Sequence, residues 1–262
     1  MMAYVTALYL MYLFTPIVLL LVGSFGQSWF NTLLPLGLTG DWYLQVASDG
    51  SFQRAFWTSL KVCLLTCMIG ALVGLPLAYA VYRAASRKIR AAARIIYLLP
   101  IAVPPLVLAF GFILVFSSDQ LPYLGSLWVL VGGHLVITLP YLLHTLIGDM
   151  RHLRLADQER AAESLGAGFV RRFVDVVLPS LRHSLAAGLI TVAALSIGEF
   201  QLSNLVAGFL TRPYPVVLLQ AFYGATGFAC AATVVLLVLA LTASAASAIT
   251  ARGAARMPGL SA

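Results

Sequence analysis

Long apolar runs dominate this chain of 262 residues and constrain its fold more than any other feature. A helix that crosses a bilayer needs about 20 mostly apolar residues. Six stretches qualify, at about 4–24, 56–82, 93–117, 126–147, 183–209 and 228–250. The expected fold is therefore all-α, a polytopic membrane helix bundle with six transmembrane helices. Only 10% of the residues are charged, against about a quarter in a soluble domain. The first run lacks the basic flank and small-residue cleavage pattern of a signal peptide, so it is expected to remain as a span.

Charge placement sets the expected orientation. The segment 83–94 holds Arg83, Arg87, Lys88, Arg90 and Arg94, and 148–182 holds Arg151, Arg154, Arg160, Arg171, Arg172 and Arg182. Arg252 and Arg256 lie in the C-terminal tail, which leaves Arg54, Lys61 and Arg212 as the remaining cations. Cytoplasmic loops carry the excess of Lys and Arg. Both segments and the tail are thus expected in the cytoplasm, and an even number of spans puts the N-terminus there as well. The 25–55 segment is expected outside, with Trp29, Trp42 and Tyr43 as interfacial anchors. The cations form no stripe interleaved with aromatics, so the net charge of +7 does not predict nucleic-acid binding. No stretch is suited to a separate soluble domain. Residues 1–262 are expected to form one membrane domain, with loose ends at 1–3 and 251–262.

Cys63, Cys67 and Cys230 lie inside apolar runs and are expected as buried thiols. No metal cluster surrounds His134, His144, His152 or His183, and hydrogen-bonded neutral histidines account for them. Gly70-Ala-Leu-Val-Gly74 allows close helix approach, as do the small residues Ala243–Ala248; packing within the chain is the simpler use of both. Pro100, Pro104 and Pro105 crowd the third run, where freed carbonyls must face protein or water. Pro76 and Pro140 act similarly. A passive kink and a gating role both fit. Glu199 is the one acidic residue placed deep in a run, and an ionisable group there should avoid lipid. Ser196, Glu199 and Ser203 would share one helix face at helical spacing. They are candidates for a pathway lining, with interhelical hydrogen-bonded packing as the structural alternative. No nucleophile elbow and no P-loop occurs, so neither catalysis nor ATP binding is expected of this chain.

Between the fourth and fifth runs lies a charged segment, 148–182. Within it, 157–170 has an amphipathic helical pattern, with Asp157 and Glu159 near its start, where the helix dipole favours negative charge. Alone, this pattern also suits a helix lying at the headgroups. Residues 159–179 decide further. Ala161, Ala162, Gly166, Leu178 and Pro179 fall in register with Glu-Ala-Ala, three residues, Gly, nine residues, Ile-x-Leu-Pro. Val176 stands at the Ile position and Arg160 at the usual Glu, with Glu159 adjacent and Glu163 one turn on. The segment resembles the loop of permease subunits of binding-protein-dependent type I ABC importers.

The resemblance extends over about 50–250 and includes Leu-Pro-Ile-Ala-Val-Pro-Pro at 99–105 and Ser-Ile-Gly-Glu-Phe at 196–200. Gly-Ser-Phe-Gly-Gln-Ser-Trp at 23–29 and Leu-Pro-Leu-Gly-Leu-Thr at 34–39 are most similar to the 2-aminoethylphosphonate branch. The polyamine, ferric-ion and thiamine branches are close relatives. The resemblance implies a MetI-like fold in a bacterial inner membrane and a coupling helix in 148–182. The implied ATPase-coupling residues are Glu159, Ala161, Ala162, Glu163, Gly166, Leu178 and Pro179; Arg160 does not take over the Glu role. Implied partners are a second permease, homologous or identical, two ATPase subunits that bind ATP and Mg, an extracytoplasmic solute-binding protein and membrane lipid. A channel, a secondary transporter and an intramembrane enzyme are the alternatives of other classes.

Overall fold

The computed structural model describes residues 2–29, 32 and 34–255. In chain order the elements are α1 (Met2–Phe25), β1 (Gly26–Ser28), β2 (Leu36–Leu38), α2 (Asp41–Ser48), α3 (Gly50–Arg83), α4 (Arg87–Ala102), α5 (Pro105–Phe116), α6 (Leu127–His152), α7 (Leu155–Ser164), α8 (Phe169–Arg172), a π-helical turn (Phe173–Val177), α9 (Leu178–Gly198), α10 (Gln201–Val206), a 3-10 turn (Phe209–Thr211), α11 (Tyr214–Phe222) and α12 (Thr226–Ala255). The fold is an all-α membrane bundle with one small hairpin. Among the described residues, four helical segments are long and apolar enough to cross a membrane: Tyr4–Phe25, Gly50–Arg83, Leu127–His152 and Phe169–Gly198. Helices α4 and α5 make a fifth candidate as a bent pair, and the sixth expected span falls on α12, apolar over Thr226–Val238. Arg256 and the rest of the tail lie outside the described residues, as do the side chains of Arg252 and of Ala243–Ala248.

Two expected spans are broken. The run 93–117 is not one helix: α4 and α5 meet at 98°. The cause is the Pro104–Pro105 pair. A residue before proline is pushed out of the α region, and both Val103 (ψ 124) and Pro104 (ψ 138) are extended. Pro105 then sits at the start of α5, where its missing N–H costs nothing. The run 183–209 is likewise interrupted. α9 ends at Gly198, Glu199 is extended (ψ 121), and α10 begins at Gln201. Pro179, by contrast, does not interrupt its helix and sits in the first turn of α9. The widened π turn before it accommodates a residue whose ring would clash with a regular preceding turn. Most of 148–182 is therefore helical, and its irregular part is confined to the ends of α7.

The chain forms two compact units, Arg54–Val216 and the segments on either side of it. In the outer unit α1 and α12 pack together, and α2 lies against α12. β1 and β2 pair antiparallel, Gly26 with Leu38. Trp42 and Tyr43 make bonds inside this unit: Trp42 Nε1 donates to the Gly26 carbonyl (2.8 Å), and the Tyr43 hydroxyl bonds Ser24 (2.7 Å). Phe52 and Phe228 meet edge-on at 5.1 Å.

Helix α6 is the centre of the other unit. Leu142, Leu143, Leu146 and Met150 are fully buried along it, against Leu75 and Ala78 of α3 and Leu181 and Val192 of α9. Cys63 and Cys67 point at α9, their thiols 3.9 and 3.7 Å from the carbonyls of Ala193 and Leu189. Gly74 of the Gly-x-x-x-Gly pattern is used within the chain. A Cβ there would lie 2.9 Å from one Leu142 methyl, and a Cβ at Gly188 would lie 2.5 Å from the other. Leu142 is thus held between two glycines of different helices and cannot swing from one without meeting the other. Gly188→Val should overpack this point and cost about 1–3 kcal/mol. The check is the melting midpoint of the purified protein in detergent. It should fall, and adding Leu142→Ala should recover part of the loss; a midpoint equal to wild type would refute this packing.

Candidate functional site

Two polar constructions stand out in the Arg54–Val216 unit: the connection around α7 and a buried cluster at the α9–α10 break.

Arg154, at the N-terminal boundary of α7, takes the left-handed conformation (φ 49), the one non-glycine described residue with positive φ. Helix α7 ends in a Schellman motif. Gly166 (φ +82) donates its N–H to the Glu163 carbonyl (2.9 Å), and Ala167 donates to Ala162 (3.1 Å). The expected helix 157–170 is therefore shorter, because this glycine reverses the chain. Phe169 then starts a new helix rather than continuing the stripe of Ala161 and Leu165.

The inner face of α7 is tied to two helices. Leu155 is fully buried in the core that includes Val177 and Leu181. The Ala156 N–H donates to Tyr82 Oη (3.1 Å). Tyr79 Oη donates to Glu159 Oε1 (2.6 Å), and Arg83 Nη1 lies 3.6 Å from Glu159 Oε2. Ser180 donates to Gln158 (3.1 Å), linking α7 to α9. Glu159 is only 2% exposed. Glu159, one of the implied coupling residues, joins α7 to α3, and nothing in the sequence near Tyr79 signalled that pairing.

The outer face is open. Ala161, Glu163, Gly166, Leu178 and Pro179 are exposed, and Ala162 is half-buried. Leu165 is 89% exposed, with Phe169 and Val170 exposed beside it. Glu163 pairs with Arg172 (2.6 Å). Arg160 pairs with Asp157 (2.9 Å), which also holds Arg154 (2.9 Å). A Cβ on Gly166 would meet nothing within 4 Å. The arrangement is a short knuckle, anchored behind and offering an apolar and charged surface in front.

The second construction gathers Ser196, Glu199 and Ser203, though not along one continuous helix. Glu199 Oε1 accepts from the Leu202 N–H (2.8 Å), and Oε2 accepts from the Ser203 N–H (2.9 Å) and hydroxyl (2.6 Å). The carboxylate thus satisfies amides exposed where α10 begins. His134 of α6 completes the group, with Nδ1 2.8 Å from Ser196 Oγ and Nε2 3.0 Å from Ser203 Oγ. Because the Ser203 hydroxyl proton goes to Glu199, its oxygen accepts from Nε2–H, and Nδ1 accepts from Ser196. His134, Ser196 and Ser203 are buried and Glu199 is half-buried; the ring nitrogen nearest Glu199 is 3.8 Å from Oε2. The group cross-links the break in the span to the central helix. Asp149 and Ser184 make a further short link between α6 and α9.

Residues 69–255 match the family described as the binding-protein-dependent transport system inner membrane component. The chain belongs to this family. It is an inner-membrane permease of the ABC importer class. The permease is 27% identical over 213 residues to a Salmonella typhimurium protein named as a 2-aminoethylphosphonate transport system permease, PhnV, with 80% of this chain and 79% of the relative covered. It is also 27% identical over 207 residues to the spermidine/putrescine transport system permease PotC of Escherichia coli K12, covering 78% and 75%. Among solved structures, a bacterial alginate ABC transporter in complex with a periplasmic protein carrying alginate pentasaccharide has a chain that superposes with a TM-score of 0.78 at 17% identity, over 98% of the permease and 94% of that chain. A bacterial ABC transporter for alginate import gives 0.77 at 16% identity, over 96% and 93%. These likenesses support the fold, whereas the family match carries the transport role.

Proposed function

We propose that the permease, together with a second permease chain, forms an alternating-access path for a small solute, driven by separate ATPase subunits that hold ATP and Mg. An extracytoplasmic binding protein delivers the solute. The loop around α7 is the contact with an ATPase subunit on the cytoplasmic side, and the N-terminus lies on that side too. The observation that carries this reading is the two-sided build of α7. Its exposed front, from Ala161 to Val170, suits docking of a protein partner, while its back is bonded to α3 through Glu159 and Ala156 and to α9 through Gln158. A displacement applied at the front is therefore passed to two membrane helices rather than absorbed by a slack loop. The ion pair Arg160–Asp157 is exposed on both sides, whereas in Glu163–Arg172 only the Glu163 side is.

The proposed solute is 2-aminoethylphosphonate. The similarity to PhnV and the residues at 23–29 and 34–39 support it. Polyamine is the second candidate, supported by PotC at the same identity; ferric ion and thiamine follow. The test is uptake by proteoliposomes that contain the assembled importer and its binding protein. ATP-dependent uptake of labelled 2-aminoethylphosphonate, undiminished by excess spermidine, is the expected result. Uptake of spermidine with none of the phosphonate would overturn the substrate assignment.

A further inference from the structure

The break between α9 and α10 lies inside the membrane. His134, which bonds residues on both sides of it, sits two turns in from the start of the spanning helix α6. An unwound stretch at that depth frees backbone groups that lipid cannot satisfy. Here α9 ends at Gly198 and α10 begins at Gln201. The Glu199 side chain accepts from the amides of Leu202 and Ser203, so the α10 side is capped. The α9 side is not. The carbonyls of Ile197, Gly198 and Glu199 accept no hydrogen bond among the described residues.

The open side of the break is polar. Gly198 is exposed, and a Cβ there would meet nothing within 4 Å. Gln201 and Asn204, one turn apart on α10, are exposed as well, and their side chains make no hydrogen bond among the described residues. Between 186 and 194 the exposed residues of α9 are Ala186, Ala187, Ile190, Thr191 and Ala194, with Ile190 the one large apolar side chain. The exposed side chains of α5, by contrast, are Leu106, Val107, Phe110, Leu114 and Val115, a composition suited to lipid. Exposed amides within a span face water or protein. A helix packed over the break would leave the free carbonyls unbonded, because a helix flank offers no free N–H. Water and a solute with N–H donors would serve them.

Charge then selects the solute group. A helix C-terminus carries about half a negative charge, and the Glu199 carboxylate lies beside it. No Lys or Arg occurs between Arg182 and Arg212. An anionic group would find no counter-charge here. An ammonium finds oxygens for its N–H donors, as cations do at unwound helices in other transporters. Both 2-aminoethylphosphonate and spermidine end in a primary ammonium.

We infer that the α9–α10 break holds the ammonium group of the solute during passage, through the carbonyls of Ile197, Gly198 and Glu199 and the amide oxygens of Gln201 and Asn204. This deepens the alternating-access reading and rests on it, and it applies to either solute. Glu199 contributes its charge at one remove, since its oxygens are engaged by α10.

The test is thiol modification of Gln201→Cys in the assembled importer, reconstituted with its binding protein. The probes are a cationic and an anionic methanethiosulfonate, each rate corrected for its reaction with free cysteine and for the unsubstituted importer. The cationic probe should react about tenfold faster, the scale of preference for a cation over an anion at a helix C-terminus. Gly198→Leu, whose side chain fills the open space, should assemble normally and lower ATP-dependent uptake of labelled 2-aminoethylphosphonate or spermidine by at least ~10-fold; Gly198→Ala should keep most of it. Equal corrected rates, or a faster anionic probe, would overturn the inference while leaving a water-filled path in place. No reaction with either probe, where the unsubstituted importer takes up solute, would set this face against lipid or another helix and overturn it too, as would full uptake by Gly198→Leu. Absence of ATP-dependent uptake by the unsubstituted importer would count against the transport reading itself, and the ratio of the two probe rates would still judge the break.

Discussion

Gly166→Trp is expected to abolish coupled transport while leaving the membrane fold intact. Gly166 holds φ +82 at the reversal after α7, and its missing side chain points into open space. Any other residue there takes on backbone strain, about 1–2 kcal/mol in the left-handed region. That sum is tolerable for a folded bundle. The indole, however, would stand where a docking partner must approach Leu165 and Phe169. Losing a contact worth about 2 kcal/mol or more weakens docking by roughly 30-fold. Gly166→Ala separates the two effects, since it carries the strain without the bulk. The expected pattern is near-normal membrane yield in both variants, most of the uptake kept in Ala, and ATPase co-purification and uptake lost together in Trp. Full uptake by the Trp variant would show that this turn is not the coupling contact.

The Glu199 substitutions should have effects of similar size through a different route. Leucine would leave the N–H groups of Leu202 and Ser203 and the Ser203 hydroxyl without their acceptor, in a place where Ser203 is fully buried. Each unsatisfied buried donor costs about 1–3 kcal/mol. Glu199→Leu should therefore reduce assembled protein and lower its melting midpoint by many degrees. Glu199→Gln retains one acceptor oxygen and the shape, so it should assemble. If Glu199 also acts on a cationic group of the solute, uptake by the Gln variant should fall without loss of assembly. Normal assembly and uptake in both variants would refute the cap and the pathway role alike.

The parts of this fold legible in the sequence are those governed by local chemistry. Apolar length located four helices long enough to span, because a single segment in lipid satisfies its backbone only as a helix, but it did not show that the runs 93–117 and 183–209 are broken. The amphipathic pattern found the start of α7 but ran through Gly166, where the Schellman bonds to Glu163 and Ala162 that this glycine makes possible end the helix. The tandem prolines announced a disturbance at 104–105 but not its 98° angle, which depends on what α4 and α5 pack against. Helical spacing grouped Ser196, Glu199 and Ser203 correctly as neighbours for an incorrect reason. The helix breaks at Glu199, and its carboxylate then gathers the start of α10. His134, 69 residues before Ser203, joins them only through tertiary packing. The inward bond of Glu159 was hidden for the same reason: its partner Tyr79 is 80 residues away.

The coupling role of α7 is tested most directly by site-specific photo-crosslinking. A benzophenone amino acid at Leu165, the most exposed large apolar side chain between 155 and 170, samples what lies against it in intact membranes. A single adduct with the ATP-binding subunit is the predicted result, with its yield changing between nucleotide-free and ATP-trapped states. An adduct formed only with lipid would contradict the account, since the knuckle would then lie on the membrane surface and could not transmit ATPase motion to α3 and α9.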